Sequence, residues 1–146
     1  KIGQGFIVKD NWTAREFVDV SKRLKGYDYP VDVKRADIDG LRMLLTGQRE
    51  FLSRLLENPS LLEHESFTNL MMSLLHLTEE LAARQNILQL SEPDQKHITA
   101  DIKRAYRYLV YEWLAYMKHL KDNYPYLFSF AMRTNPFDPN AKVEIQ

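Results

Sequence analysis

Ile98-Thr-Ala-Asp-Ile-Lys-Arg-Ala-Tyr-Arg-Tyr-Leu-Val-Tyr-Glu-Trp-Leu-Ala-Tyr-Met-Lys-His-Leu120 decides the fold class of this chain. Ile98, Ile102, Ala105, Leu109, Trp113, Met117 and Leu120 recur at three-to-four spacing, which lays them along one side of a helix. Tyr106, Tyr111 and Tyr116 widen that stripe toward neighbouring helices. The spacing predicts a long helix over residues 94–123, with Ser91 as its cap, Pro93 in the first turn and Pro125 closing it. A short aromatic helix is expected over 126–132, followed by the turn-rich exit Asn135-Pro-Phe-Asp-Pro139. So many aromatic side chains exclude a solvated tail and require docking on the rest of the domain.

Upstream, the sequence reads as helices separated by turn signals. Thr13-Ala-Arg-Glu16 is a capping box, with Phe17, Val18, Val20 and Leu24 behind it and Gly26 as the stop. Ile38, Leu41, Leu45, Leu52, Leu55 and Leu56 predict a second helix over 36–57, with Gly40 and Gly47 inside it as points of close packing or a break. Asn58-Pro59-Ser60 ends that helix, and Ser60, with Glu63 three residues on, is a fair N-cap. Phe67, Leu70, Met71, Leu74, Leu77 and Leu81 predict a third helix over 66–84. No strand alternation and no internal repeat stands out. The expected fold is a single all-α domain: a bundle of four main helices plus a short C-terminal aromatic helix, with 1–10 as a flexible lead-in and 139–146 as a tail.

Composition narrows the function. The chain has 146 residues, 45% of them hydrophobic, and needs no staple to bury a core. It has no cysteine, which removes thiolate catalysis, Cys-ligated zinc and iron–sulfur clusters. Twenty basic and 20 acidic residues are interleaved along it, so the basic stripe of a nucleic-acid binder is missing. Its most apolar windows are broken by His76, Glu112, Lys118 and His119, short of the roughly 20 apolar residues that span a bilayer.

No serine elbow and no glycine-rich phosphate loop is present, so no catalytic residue is assigned. His76 with Glu80 is the best local metal-ligand pair, at i, i+4 on one helix face; Glu79 is an alternative, and His97 with Asp101 repeats the spacing. The Glu-x-x-His motif of di-iron bundles does not occur. The residues therefore favour no metal and no cofactor, with His76 packed at a helix boundary beside a glutamate. Tyr106, Tyr111, Trp113, Tyr116, Tyr124 and Phe137 are the candidates for a ligand or partner surface, although such a stripe is more often core. Asn11-Trp-Thr13 matches a glycosylation sequon and Asn135-Pro-Phe137 a short adaptor ligand; a helix cap and a turn explain them better.

Leu56-Glu-Asn-Pro-Ser-Leu-Leu-Glu-His-Glu-Ser-Phe-Thr68, His76-Leu-Thr-Glu-Glu-Leu81, Asp101-Ile-Lys-Arg-Ala-Tyr106, Tyr116-Met-Lys-His-Leu-Lys-Asp-Asn-Tyr-Pro-Tyr-Leu-Phe128 and Met132-Arg-Thr-Asn-Pro-Phe-Asp138 resemble the helical soluble region of prokaryotic membrane proteins of the two-transmembrane ion-channel type, described as potassium channels. The resemblance covers 56–138 and assigns no pore residue. It implies a non-enzymatic regulatory or assembly domain on the cytoplasmic face of a membrane. Its partners would be the membrane-spanning portion of the same protein or further copies in a homo-oligomer, and not nucleic acid. Two other roles fit the residues: a ligand-binding protein with a pocket beside Trp113, Tyr106 and Tyr116, and a metal-dependent enzyme using His76, Glu80 and His119.

Overall fold

Thr13 opens the first helix, α1 (Ala14–Lys25), and does so by the expected box. The Glu16 N–H donates to the Thr13 hydroxyl at 3.3 Å, and the Thr13 N–H donates back to the Glu16 carboxylate at 2.6 Å. Trp12 and Phe17 flank this box with ring centroids 5.1 Å apart and edge-on, an apolar clasp that fixes the entry angle of the chain. Thr13→Ala is expected to cost about 1 kcal/mol, read as a lower urea midpoint. The backbone and hydroxyl hydrogen bonds from Thr13 hold Glu16 below its usual carboxylate range. Its contribution to α1 is therefore present above the ordinary carboxylate pKa and is lost as pH falls through the lowered value.

The computed structural model describes residues 6–145. Seven helices and no strand occur among them, so the protein is all-α. After α1 come α2 (Ile38–Gly47), α3 (Arg49–Leu56), α4 (Pro59–Leu62), α5 (Glu65–Ala83), α6 (Glu92–Asn123) and α7 (Pro125–Arg133). None of the described helices is long and apolar enough to cross a membrane.

The helix expected over 36–57 is two helices. α2 stops at Gly47, the Gln48 N–H closing on the Leu44 and Leu45 carbonyls, and α3 restarts at Arg49. Gly47 has open space around it, so backbone entropy rather than packing explains the break there. Gly40 is different. The Asp37 carboxylate caps α2 by accepting from the Gly40 N–H at 2.9 Å, and a Cβ on Gly40 would lie 2.3 Å from Asp37 Oδ2. Asn58, not Ser60, caps the next helix, with Pro59 at its first position. Pro125 likewise opens α7 as well as ending α6.

The chain divides into two compact units, each described by itself. One is Asp28–Leu109. Its main core joins Ile38 and Leu45 of α2, Leu77 and Leu81 of α5, Ile87 of the following loop, and Ile98 and Ala105 of α6. A second cluster joins Leu52 of α3 to Leu70 and Met71 of α5, with Phe67 and Tyr108 packed against it.

The other unit joins the chain up to Tyr27 with Val110 onward. Phe6 and Val8 are buried in it, which corrects the flexible lead-in for those residues; 1–5 lie outside the described residues. Phe6 packs on Phe137 at 4.8 Å, and its carbonyl accepts from the buried Asn135 side chain at 2.8 Å. The Asn135 carboxamide oxygen also takes the Phe137 N–H at 2.9 Å. Asn135-Pro-Phe137 is thus an internal clasp with its asparagine buried, not a presented peptide ligand.

The stripe on α6 changes phase where the units divide. Ile98, Ala105, Met117 and Leu120 are buried as expected, but Leu109 is exposed, and Val110 and Leu114 are buried beside it. The two halves of the helix serve different cores, so no single face can be apolar over its 32 residues.

Candidate metal centre

Two short segments of the same unit build the site. His76-Leu-Thr-Glu-Glu-Leu81 lies on α5 and His97-Ile-Thr-Ala-Asp-Ile102 on α6. Both read His, apolar, Thr, any residue, acid, apolar. Within each, the histidine and the acid are four residues apart and share a helix face. Each also stands immediately before an apolar residue of the main core: Leu77 and Leu81 on α5, Ile98 and Ile102 on α6. Packing those apolar pairs together carries both His–acid pairs to the rim of one core. That hexad is an internal repeat too short and too degenerate to stand out in the sequence by itself.

Four groups therefore meet. His76 Nε2 and His97 Nε2 each lie 3.3 Å from Asp101 Oδ2. Glu80 approaches the same nitrogens, with Oε1 3.8 Å from His76 and Oε2 3.3 Å from His97. The imidazoles are half exposed, whereas Asp101 is 2% exposed. The two acids are each tied to an arginine: Asp101 Oδ1 to Arg104 at 3.1 Å and Glu80 Oε2 to Arg84 at 2.7 Å.

Arg84 has several tasks. It donates to the Glu80 carbonyl at 2.5 Å, satisfying an orphan of the last turn of α5, and to Asp94 at 2.8 Å. Hydrogen bonds from Arg84 hold both Glu80 and Asp94 below their usual carboxylate range, and the Asp94 and Glu80 carboxylates raise Arg84 in turn. Glu80 is thus an anion at neutral pH.

Asp101 Oδ2 is the anomaly. It is buried and accepts no hydrogen bond, although two ring nitrogens face it. A buried carboxylate oxygen without a partner is costly unless a cation meets it. Two ligands held 2.0–2.1 Å from a tetrahedral metal stand about 3.3–3.4 Å apart, while adjacent octahedral ligands at the same distance stand about 3.0 Å apart. The observed 3.3 Å separations match the tetrahedral edge. His76, His97 and Asp101 can all offer a donor atom to one ion.

The family described as "Uncharacterized protein MJ1433, C-terminal helical domain" matches residues 1–133. This chain belongs to that family. It is similar to Uncharacterized protein MJ1433 of Methanocaldococcus jannaschii, 45% identical over 136 residues. Those residues are 93% of this chain and 55% of the relative, so the chain spans about half the length of the protein it matches. No solved structure matches it.

The expected site residues fall into separate places. His76 and Glu80 meet as the sequence suggested, and His97 and Asp101 join them. Glu79 turns away to pair with Arg49 at 2.7 Å. His119 belongs to the other unit, its ring against Tyr124 at 5.6 Å. The aromatic candidates are divided between the two units. Tyr106 packs edge-on against Tyr29 at 4.9 Å within one unit, and burial pushes its hydroxyl pKa up. Trp113 packs on Phe137 at 5.0 Å within the other. Tyr111, Tyr116 and Tyr124 are exposed.

Proposed function

We propose that this domain is a non-enzymatic binding module for a divalent transition metal, held by His76, His97 and Asp101. The observation that carries the reading is the buried Asp101 oxygen, unpartnered, with two imidazole nitrogens 3.3 Å away. Imidazole and carboxylate together suit Zn²⁺ and its neighbours rather than Ca²⁺ or Mg²⁺. The competing account of the same geometry is a pair of imidazolium ions neutralising two carboxylates, with no metal at all. Titrating chelator-treated protein with Zn²⁺ separates them. One equivalent should bind, and at a free metal concentration of 100 times Kd the folded state gains about 2.7 kcal/mol. For a chain of this size that raises Tm by about 10 °C. Failure to bind, with Tm unmoved, sinks the metal reading.

A second reading rests on the surface of α7. Tyr126 is 91% exposed, and Leu127 and Phe130 are half exposed beside it. Such a surface suits the regulatory or assembly module that the channel resemblance implies, with a second copy or a membrane-spanning portion of the same protein as its partner. Light scattering over a concentration series is the test. A concentration-dependent dimer or tetramer supports this reading, and a strict monomer at all concentrations removes the homo-oligomer.

A further inference from the structure

We propose that Glu80 is the fourth ligand of this centre, closing it as a tetrahedral site of two imidazoles and two carboxylates for Zn²⁺, and that Arg84 positions Glu80 for that role. The inference rests on the metal reading above and goes beyond its three donors.

Three observations carry it. First, the repeated hexad puts Glu80 on α5 where it puts Asp101 on α6, four residues after the histidine and one before a core residue. Second, both acids flank the same two nitrogens. Asp101 Oδ2 stands one tetrahedral edge, 3.3 Å, from each. Glu80 borders them with two different oxygens, Oε1 3.8 Å from His76 and Oε2 3.3 Å from His97. A rotation of its carboxylate is what brings one oxygen to the ion beside the three converging donors. Third, the outer partners correspond. Asp101 gives one oxygen to Arg104 and turns the other toward the imidazoles. Glu80 gives Oε2, which also faces His97, to Arg84 and keeps Oε1 on the His76 side, free of the arginine. Each acid can therefore bind a metal through one oxygen while its arginine holds the other, which is how outer partners orient metal ligands.

The consequence is functional. Sites with three protein ligands keep a position open for water and substrate; sites with four are closed and hold structure. A closed centre linking α5 to α6 is a staple, not a hydrolytic catalyst. It also favours a cation that accepts four ligands over Mg²⁺, which demands six.

Co²⁺ is the probe, because its visible absorption is intense in four-coordination and weak in six. The full chain is titrated with Co²⁺ as wild type, Glu80→Gln and Arg84→Gln. The wild type should give the intense spectrum. Glu80→Gln should shift the absorption bands, as water takes the fourth position, and bind at least about 10–100-fold more weakly, the loss that an outer partner alone produces. Arg84→Gln should keep the intense spectrum but bind about 10–100-fold more weakly, since the ligand remains and only its orientation is lost. A Co²⁺ spectrum and affinity unchanged in Glu80→Gln, whether intense or weak, overturn the fourth ligand and leave the three-donor site standing. A wild type that binds no Co²⁺ overturns both. Equal affinity in wild type and Arg84→Gln removes the positioning role.

Discussion

Asp101→Asn is expected to abolish the metal-dependent stabilisation while leaving the metal-free protein at least as stable as before. The substitution keeps the shape of the side chain and removes its charge. If affinity falls 100-fold, the gain at a fixed free Zn²⁺ concentration drops from about 2.7 to about 0.4 kcal/mol, from RT ln(1 + [L]/Kd). In melting temperature, a rise of about 10 °C becomes about 1 °C. The metal-free protein responds differently because Asp101 is 2% exposed and its Oδ2 lacks a hydrogen bond. An uncompensated buried carboxylate oxygen is a cost, and an amide in its place can donate to an imidazole nitrogen. The lost pair with Arg104 matters little, since that guanidinium is half exposed and such pairs contribute about 0–1 kcal/mol. Thermal melts with and without Zn²⁺, on wild type and variant side by side, check both halves. A variant that keeps the full Zn²⁺ shift removes Asp101 from the ligand set. A variant that collapses without metal makes Asp101 the counter-ion of protonated histidines instead.

Much of the fold is written locally. The α1 box, the α2 cap on Asp37 and the Ser91 start of α6 are short-range chemistry, visible in single residues and their neighbours. α5 can be predicted because the residues it gives to both clusters, Leu70 and Met71 to one and Leu77 and Leu81 to the other, follow one helical period. α6 can be placed, and its stripe holds at Ile98, Ala105, Met117 and Leu120. Around Leu109, however, the buried positions move to Val110 and Leu114, because the two halves answer to different neighbours and periodicity within one helix carries no record of them. The aromatic C-terminal stretch is docked through Phe128, Trp113 and Phe137, yet Tyr111, Tyr116, Tyr124 and Tyr126 face solvent. A tyrosine hydroxyl is satisfied by water, so aromatic density alone does not decide which rings turn inward.

The site shows the same division between local and long-range information. Both i, i+4 pairs are visible in the sequence. Their meeting is not, because the pairs are separated by 21 residues and joined only when Leu77, Leu81, Ile98 and Ile102 pack together. The signal that points to it is the hexad, whose apolar positions say that both polar pairs border the same core. The lack of a Glu-x-x-His motif is a weak argument against a metal in such a chain. The order is reversed and the spacing is one residue longer here, a different helical solution to presenting a nitrogen and an oxygen to one point.

Leu81→Ala is the second large effect. Leu81 follows Glu80 and is 0% exposed, in contact with the cluster that includes Ile38, Leu45, Leu77 and Ile98. Truncation removes three heavy atoms from a packed interior and leaves a cavity that four elements must collapse to fill. The expected loss is about 2–5 kcal/mol, from the transfer and cavity costs together. That is a large part of the roughly 5–15 kcal/mol by which a domain is stable. Urea unfolding should show a lower midpoint at unchanged slope, since the surface exposed on unfolding is nearly the same. Leu88→Ala, at a side chain 79% exposed, should stay within about 0.5 kcal/mol. Zn²⁺ adds a decisive arm. If the variant keeps the His–acid geometry, free metal at 100 times the wild-type Kd should return about 2.7 kcal/mol to it, as to the wild type. A smaller return at the same free metal means that Leu81 also sets the position of Glu80, and that the core beneath the site helps hold its ligands in register. A midpoint unchanged by Leu81→Ala contradicts the packing described for this unit.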